Sequence, residues 1–164
     1  MKILERITEF LNRILIWMAG VFLVAMVILT CTDIFLRLSW KPITGSVELV
    51  AFFSAIVTAF ALGYTQSRRG HISVDVLINL FPERVRKGLN ILNSAVCSVF
   101  FLVVAWRIAK WSMIVWKSGE ITETLRIIYY PFSYGVALGC IILALVFLTD
   151  LVRFLVGPRE EGKE

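Results

Sequence analysis

The sequence predicts an all-α integral membrane protein, with four transmembrane helices, amphipathic helices at the interfaces and both termini cytoplasmic. Three observations predict it. Apolar residues make up 59% of the 164 positions and charged residues 18%. Soluble chains hold about 45–50% and about 25%, so too few charges are present to coat a water-facing surface. Charge is also missing altogether from four windows, 14–32, 49–67, 88–106 and 127–149, each of at least 19 residues. Nineteen helical residues rise about 28 Å, close to the thickness of a bilayer's hydrocarbon core. Finally, Lys and Arg number eleven on the side of both tails and the second loop and six on the other side, which places the termini in the cytoplasm.

A helix satisfies its own backbone, whereas barrel strands would show an alternation of period two that these windows lack. The expected spans are about 14–36, 47–66, 85–108 and 131–154, within a single domain covering 1–164. The first apolar stretch is too long for a signal-peptide core and no small-x-small cleavage site follows it, so it is expected to stay as a helix. Before it, Ile3, Leu4, Ile7, Phe10, Leu11 and Ile14 recur at helical spacing, with Lys2, Glu5, Arg6, Glu9 and Asn12 on the other face. That pattern predicts an amphipathic entry helix, at the interface or continuous with span one.

Asp33 and Arg37 close span one four residues apart and can pair. Trp40 fits an interfacial anchor, and 42–45 reads as a turn. Span two opens at Ser46 and carries Ala51, Ala55, Ala59 and Gly63, one small residue every four. Such a stripe lets another helix approach closely, within this chain or in a larger membrane subunit. Glu48 has no cation near it in sequence; if buried, it needs one from another helix or another chain. Residues 72–81 are apolar but interrupted by Asp75 and Asn79, too short to cross, and end at Pro82. Span three carries Asn90, Asn93, Ser94 and Ser98, expected to face protein. Past Trp106, Arg107, Lys110 and Lys117 share one broad face and Trp111, Met113 and Trp116 take the others, which predicts a helical extension along the outer surface. A polar loop follows at 119–124. Pro131 suits a first helical turn, Gly135 and Gly139 form a G-x-x-x-G, and Asp150 can pair with Arg153.

Catalytic chemistry is not visible. His71 is the lone histidine, so no bis-histidine haem or histidine-rich metal site can form within the chain. Neither a G-x-S-x-G nor a glycine-rich phosphate loop occurs. Cys31, Cys97 and Cys140 sit one to a span with no C-x-x-C and read as small apolar fillers. No enzyme activity, cofactor, metal or nucleic-acid partner is expected.

Several segments together carry a resemblance: D-I-F-L-R from Asp33, G-S-V-E-L from Gly45, A-L-G-Y from Ala61 and R-R-G-H-I-S-V-D-V-L from Arg68. Downstream stand S-G-E-I-T-E-T-L-R-I from Ser118 and Y-Y-P-F-S-Y-G from Tyr129. The chain resembles the small membrane subunit, DctQ-like or Q, of tripartite ATP-independent periplasmic (TRAP) transporters over nearly its whole length. The resemblance implies a bacterial inner-membrane complex with a large permease subunit (M) and a periplasmic substrate-binding protein (P), touched directly or through M. It implies sodium-coupled uptake of an organic acid anion, a sialic acid or dicarboxylate among them. The coupling sodium would lie in the large subunit, and this chain would brace the machine in the surrounding lipid. Arg37, Glu48, Gly70, His71, Asp75 and Pro131 fall on the family's pattern positions. Where a tryptophan often stands early in span two, this chain has Phe52 and Phe53. Rival readings are a membrane anchor of an enzyme or electron-transfer complex, and a self-contained tetraspan transporter.

Overall fold

The structure, a computed structural model, describes residues 2–39, 41–67 and 82–156. They form four helices, α1 (Lys2–Ser39), α2 (Ser46–Ser67), α3 (Glu83–Ser118) and α4 (Tyr130–Val156). All four are long and apolar enough to cross a membrane. The short apolar segment 72–81, with Gly70, His71 and Asp75, lies outside the described residues, as does Trp40.

Two helices are longer than a bilayer requires. The 38 residues of α1 rise about 57 Å and the 36 of α3 about 54 Å at ~1.5 Å per residue. The entry segment is therefore continuous with span one. The extension past Trp106 is likewise no separate surface helix: α3 runs unbroken to Ser118. Helix ends follow local chemistry. Pro82, at ψ 148°, stands just before α3, where a missing N–H costs nothing. Gly119 ends α3 in the left-handed region (φ 67°) and donates its N–H to Val115 O, a cap that a side chain would strain. Pro131 sits in the first turn of α4 and is exposed.

The helices do not close into a symmetric bundle. α1 packs along α2, α2 against α4, and α3 chiefly along α4, while α1 reaches α4 only lightly. The core joins Leu15 and Ala19 of α1, Ile56, Ala59 and Phe60 of α2, and Ile142 of α4. α4 is the most enclosed element: 44% of its most apolar stretch is buried, against 11% for α1 and 17% for α3. The broad outer faces of α1 and α3 are apolar surface, as lipid or a membrane partner requires.

An inner stripe runs the length of α1. Thr8, Asn12, Leu15, Ala19 and, at the far end, Asp33 are buried, and Phe22 packs against the core between them. Their spacing alternates fours and threes, the signature of a helix seam. Ile7, Phe10 and Ile14 face outward instead. Arg6, Glu9 and Arg13 are exposed at the same level, so the outward face there carries both apolar and charged side chains while Thr8 and Asn12 turn inward.

Candidate functional site

No catalytic constellation exists among the described residues, and no group of three or more metal-ligating side chains. The polar chemistry gathers instead at the two ends of the helices.

At the loop end, Asp33 and Glu48 fasten the connections. Asp33 accepts Arg37 Nε at 2.9 Å on one carboxylate oxygen and the Ile43 N–H at 2.8 Å on the other. The expected pair with Arg37 thus forms, and the same carboxylate also holds the α1–α2 loop. Glu48, in the first turn of α2, accepts the N–H groups of Thr124 (2.9 Å) and Leu125 (3.2 Å). Its partners are two backbone amides of this chain rather than a cation. A carboxylate accepting paired amides is a charge-assisted arrangement, favoured further by the positive end of the helix. Gly45 (φ 81°) lies directly beneath Leu125, and a Cβ there would collide with that side chain. The α3–α4 loop is therefore seated on the α1–α2 loop.

The α3–α4 loop is itself ordered. Thr122 and Ile127 exchange hydrogen bonds, Ile121 and Ile128 form a single antiparallel bridge, and Arg126 adopts φ 51°. Tyr129 donates its hydroxyl to Glu120 at 2.7 Å, and that bond to a carboxylate pushes the phenol above its usual range. Beneath the loop lies an aromatic cluster. Phe52 stacks on Tyr129 and Phe132, and Phe53 meets Phe22 and Phe132. Phe52 and Phe53 thus join α1, α2 and α4. Trp106, Trp111 and Trp116 are all substantially exposed, and Lys110 lies 4.5 Å from the Trp106 ring centre.

The small-residue stripe of α2 divides. Ala59 meets Gly139 of α4 so closely that a Cβ on Gly139 would stand 3.0 Å from the Ala59 carbonyl oxygen. Gly63 faces α1, where its Cβ would stand 2.8 Å from Asn12 Oδ1, and Gly135 faces Ile56 at 3.7 Å. Ala51 and Ala55 are exposed. Half of the stripe therefore packs this chain, and half remains for lipid or another subunit. Span three also differs in part from expectation: Ser94 and Ser98 are buried, with Ser98 Oγ donating to Ala144 O at 3.3 Å, whereas Asn93 is exposed.

The opposite end, near the N-terminus of α1, contains what the sequence reading missed. Asn12 is 2% exposed, and neither of its amide atoms meets a hydrogen-bond partner among the described residues. An unmet buried amide costs roughly 1–3 kcal/mol. The signal was present in the four–three spacing that joins Thr8 and Asn12 to Leu15 and Ala19. At this end Gln66 also donates to Asp150 at 3.3 Å, linking α2 to α4. The three cysteines are free thiols on three different helices.

Comparison with known proteins identifies the family. The family model for the DctQ component of tripartite ATP-independent periplasmic transporters matches residues 26–157. The chain is 30% identical over 106 residues to the C4-dicarboxylate TRAP transporter small permease protein DctQ of Vibrio cholerae. That match covers 62% of this chain and 46% of the relative, so the aligned region spans about half of the relative's length. No solved structure matches.

Proposed function

The chain belongs to the DctQ family of TRAP transporter components, multi-pass proteins of the inner membrane, and on that premise we propose that it is the fixed brace of a sodium-coupled uptake system. Its partners in this reading are a large permease subunit, which carries the solute and the sodium ions, and a periplasmic binding protein that delivers the solute. The cargo is an organic acid anion; the Vibrio cholerae relative bears C4-dicarboxylate in its name. This chain holds no cofactor and no substrate.

The observation that carries the reading is the closure of the loop end. Asp33 and Glu48 bind backbone N–H groups across the connections, and Gly45 seats Leu125. A unit tied at its loops while its outer helix faces stay broad and apolar suits an immobile support for a moving neighbour. A carrier instead needs charges or broken helices at mid-membrane for an anion and its coupling ions, and the charge-free windows offer none. Both termini are cytoplasmic in this scheme, and the two clamped loops face the periplasm.

The decisive measurement is reconstitution of the purified chains in liposomes with labelled solute, the binding protein and an imposed sodium gradient. Uptake is expected only when this chain and the large subunit are both present. Solute binding or flux by this chain alone would replace the brace with a self-contained transporter. Orientation is checked with single cysteines at Thr44 and Glu123, exposed in the two clamped loops, and at Gly162, in a cysteine-free background. Impermeant reagent on intact cells should label the first two positions and spare the third.

A further inference from the structure

Two open hollows lie end to end along one face of α1. The first, about 570 Å³, is lined by Arg6, Glu9, Asn12 and Arg13, with Tyr64 and Ser67 from the end of α2. The second, about 530 Å³, continues along Gly20, Val21 and Val24. Ile16 and Trp17 line both, so the two form one trough that turns from charged to apolar along its length. Among the described residues the apolar half is lined by α1 alone, and a Cβ on Gly20 would meet nothing within 4 Å, so it is a shallow notch in the outer surface of the helix. From Arg13 to Val24 the helix rises about 16 Å, roughly half of the ~30 Å hydrocarbon core and so the depth of one leaflet.

The charged half has a definite chemistry. Among the described residues neither Arg6 nor Arg13 makes an ion pair, and a guanidinium fork matches phosphate oxygens. Asn12, buried and without a partner, adds an N–H donor beside them, and phosphate oxygens only accept. Glu9 provides a carboxylate in the same lining, suited to an ammonium. A free anion would use the charged half and leave the apolar half without a role. An apolar helix from another subunit would use the reverse. A phospholipid uses both.

We propose that this face of α1 holds one phospholipid of the leaflet nearest the N-terminus. Its phosphate lies with Arg6, Arg13 and Asn12, an amine-bearing headgroup turns to Glu9, and one acyl chain follows Gly20 and Val24. The lipid fills the trough and fixes α1 at a set depth in the membrane.

The test is native mass spectrometry of the full chain, extracted from its own membrane in mild detergent and titrated with phosphatidylethanolamine, phosphatidylglycerol or inorganic phosphate. One retained phospholipid per chain is expected. Joint replacement Arg6→Gln and Arg13→Gln should cut retention at least about tenfold, while Arg6→Lys with Arg13→Lys, which keeps the charges and loses the forks, should retain an intermediate amount. Gly20→Phe, which blocks the trough without touching a charge, should also expel it. Glu9→Gln should erase a preference for phosphatidylethanolamine over phosphatidylglycerol. Displacement by inorganic phosphate, with Gly20→Phe silent, would make this a free-anion site and overturn the lipid. Retention unchanged in both the Gln and the Phe variants would overturn the site. A photo-crosslinker at position 17 that captures protein instead of lipid would assign the face to a subunit and overturn the proposal as well.

Discussion

The two ends of the helix array treat polar groups in opposite ways. At the loop end both Asp33 and Glu48 have their carboxylate oxygens bonded, largely to backbone amides of neighbouring loops, and an aromatic cluster lies beneath. At the other end Asn12 is buried with nothing to bond, beside a cleft lined by arginines. The first end is complete within the chain. The second is arranged like a surface that expects something from outside. A membrane subunit needs both, since one end must hold its own shape and another must engage its surroundings.

The largest effect should come from forcing apart the helices that join the two ends. Gly139→Leu would drive a side chain into the Ala59 backbone, and overpacking of this kind costs about 1–3 kcal/mol or more. The expected result is a sharp loss of folded material, read as recovery on size-exclusion chromatography and as a lower unfolding temperature. Normal recovery and assembly would mean that α2 and α4 do not cross at this point.

Next in size is Glu48→Ala, which deprives the Thr124 and Leu125 amides of their acceptor. Helices should persist while the 119–129 loop comes loose. Hydrogen exchange at those two amides should quicken several-fold, and protease should cut the loop. The N-terminal end should exchange as before, and a change spreading there would show that the two ends are coupled.

Asn12→Leu sharpens the contrast from the other direction. Removing an unmet amide should stabilise the isolated chain in detergent by roughly 1–3 kcal/mol, seen as a rise in unfolding temperature. A loss of stability would reveal that Asn12 has a partner in solution. The smallest effect belongs to Ala55→Leu. On an exposed face the isolated chain should change by less than about 0.5 kcal/mol, while co-purification with the large subunit should fall if that face docks it. Full co-purification would give the face to lipid.

What the sequence made legible follows from how local each feature is. The four crossings were readable because a charge-free run of 19 or more residues has few other uses. The Asp33–Arg37 pair was readable because it lies within one turn of one helix. Glu48 was not, since its partners stand 76 and 77 residues away in a loop and are amides, which every residue carries. Ala59 and Gly139 announced close packing without naming each other. Continuity of the entry segment with span one was one of the two arrangements its periodicity allowed, whereas the burial of Asn12 was hidden because it stands among charged residues on the polar face. Gly70, His71 and Asp75, which the sequence resemblance places on pattern positions, fall outside the described residues.

The contact of Asn12 with Gly63 has a consequence for assembly. In a seam of otherwise interchangeable apolar residues, one polar position can set the vertical register of two helices. Gly63 is what makes room for the Asn12 side chain: a Cβ at position 63 would stand 2.8 Å from Asn12 Oδ1. Sliding α1 by one heptad, about 10.5 Å, would bring either Glu5 or Ala19 opposite that glycine. The first would carry a charge into the core and the second would leave a gap. That contact therefore favours a single vertical register between α1 and α2.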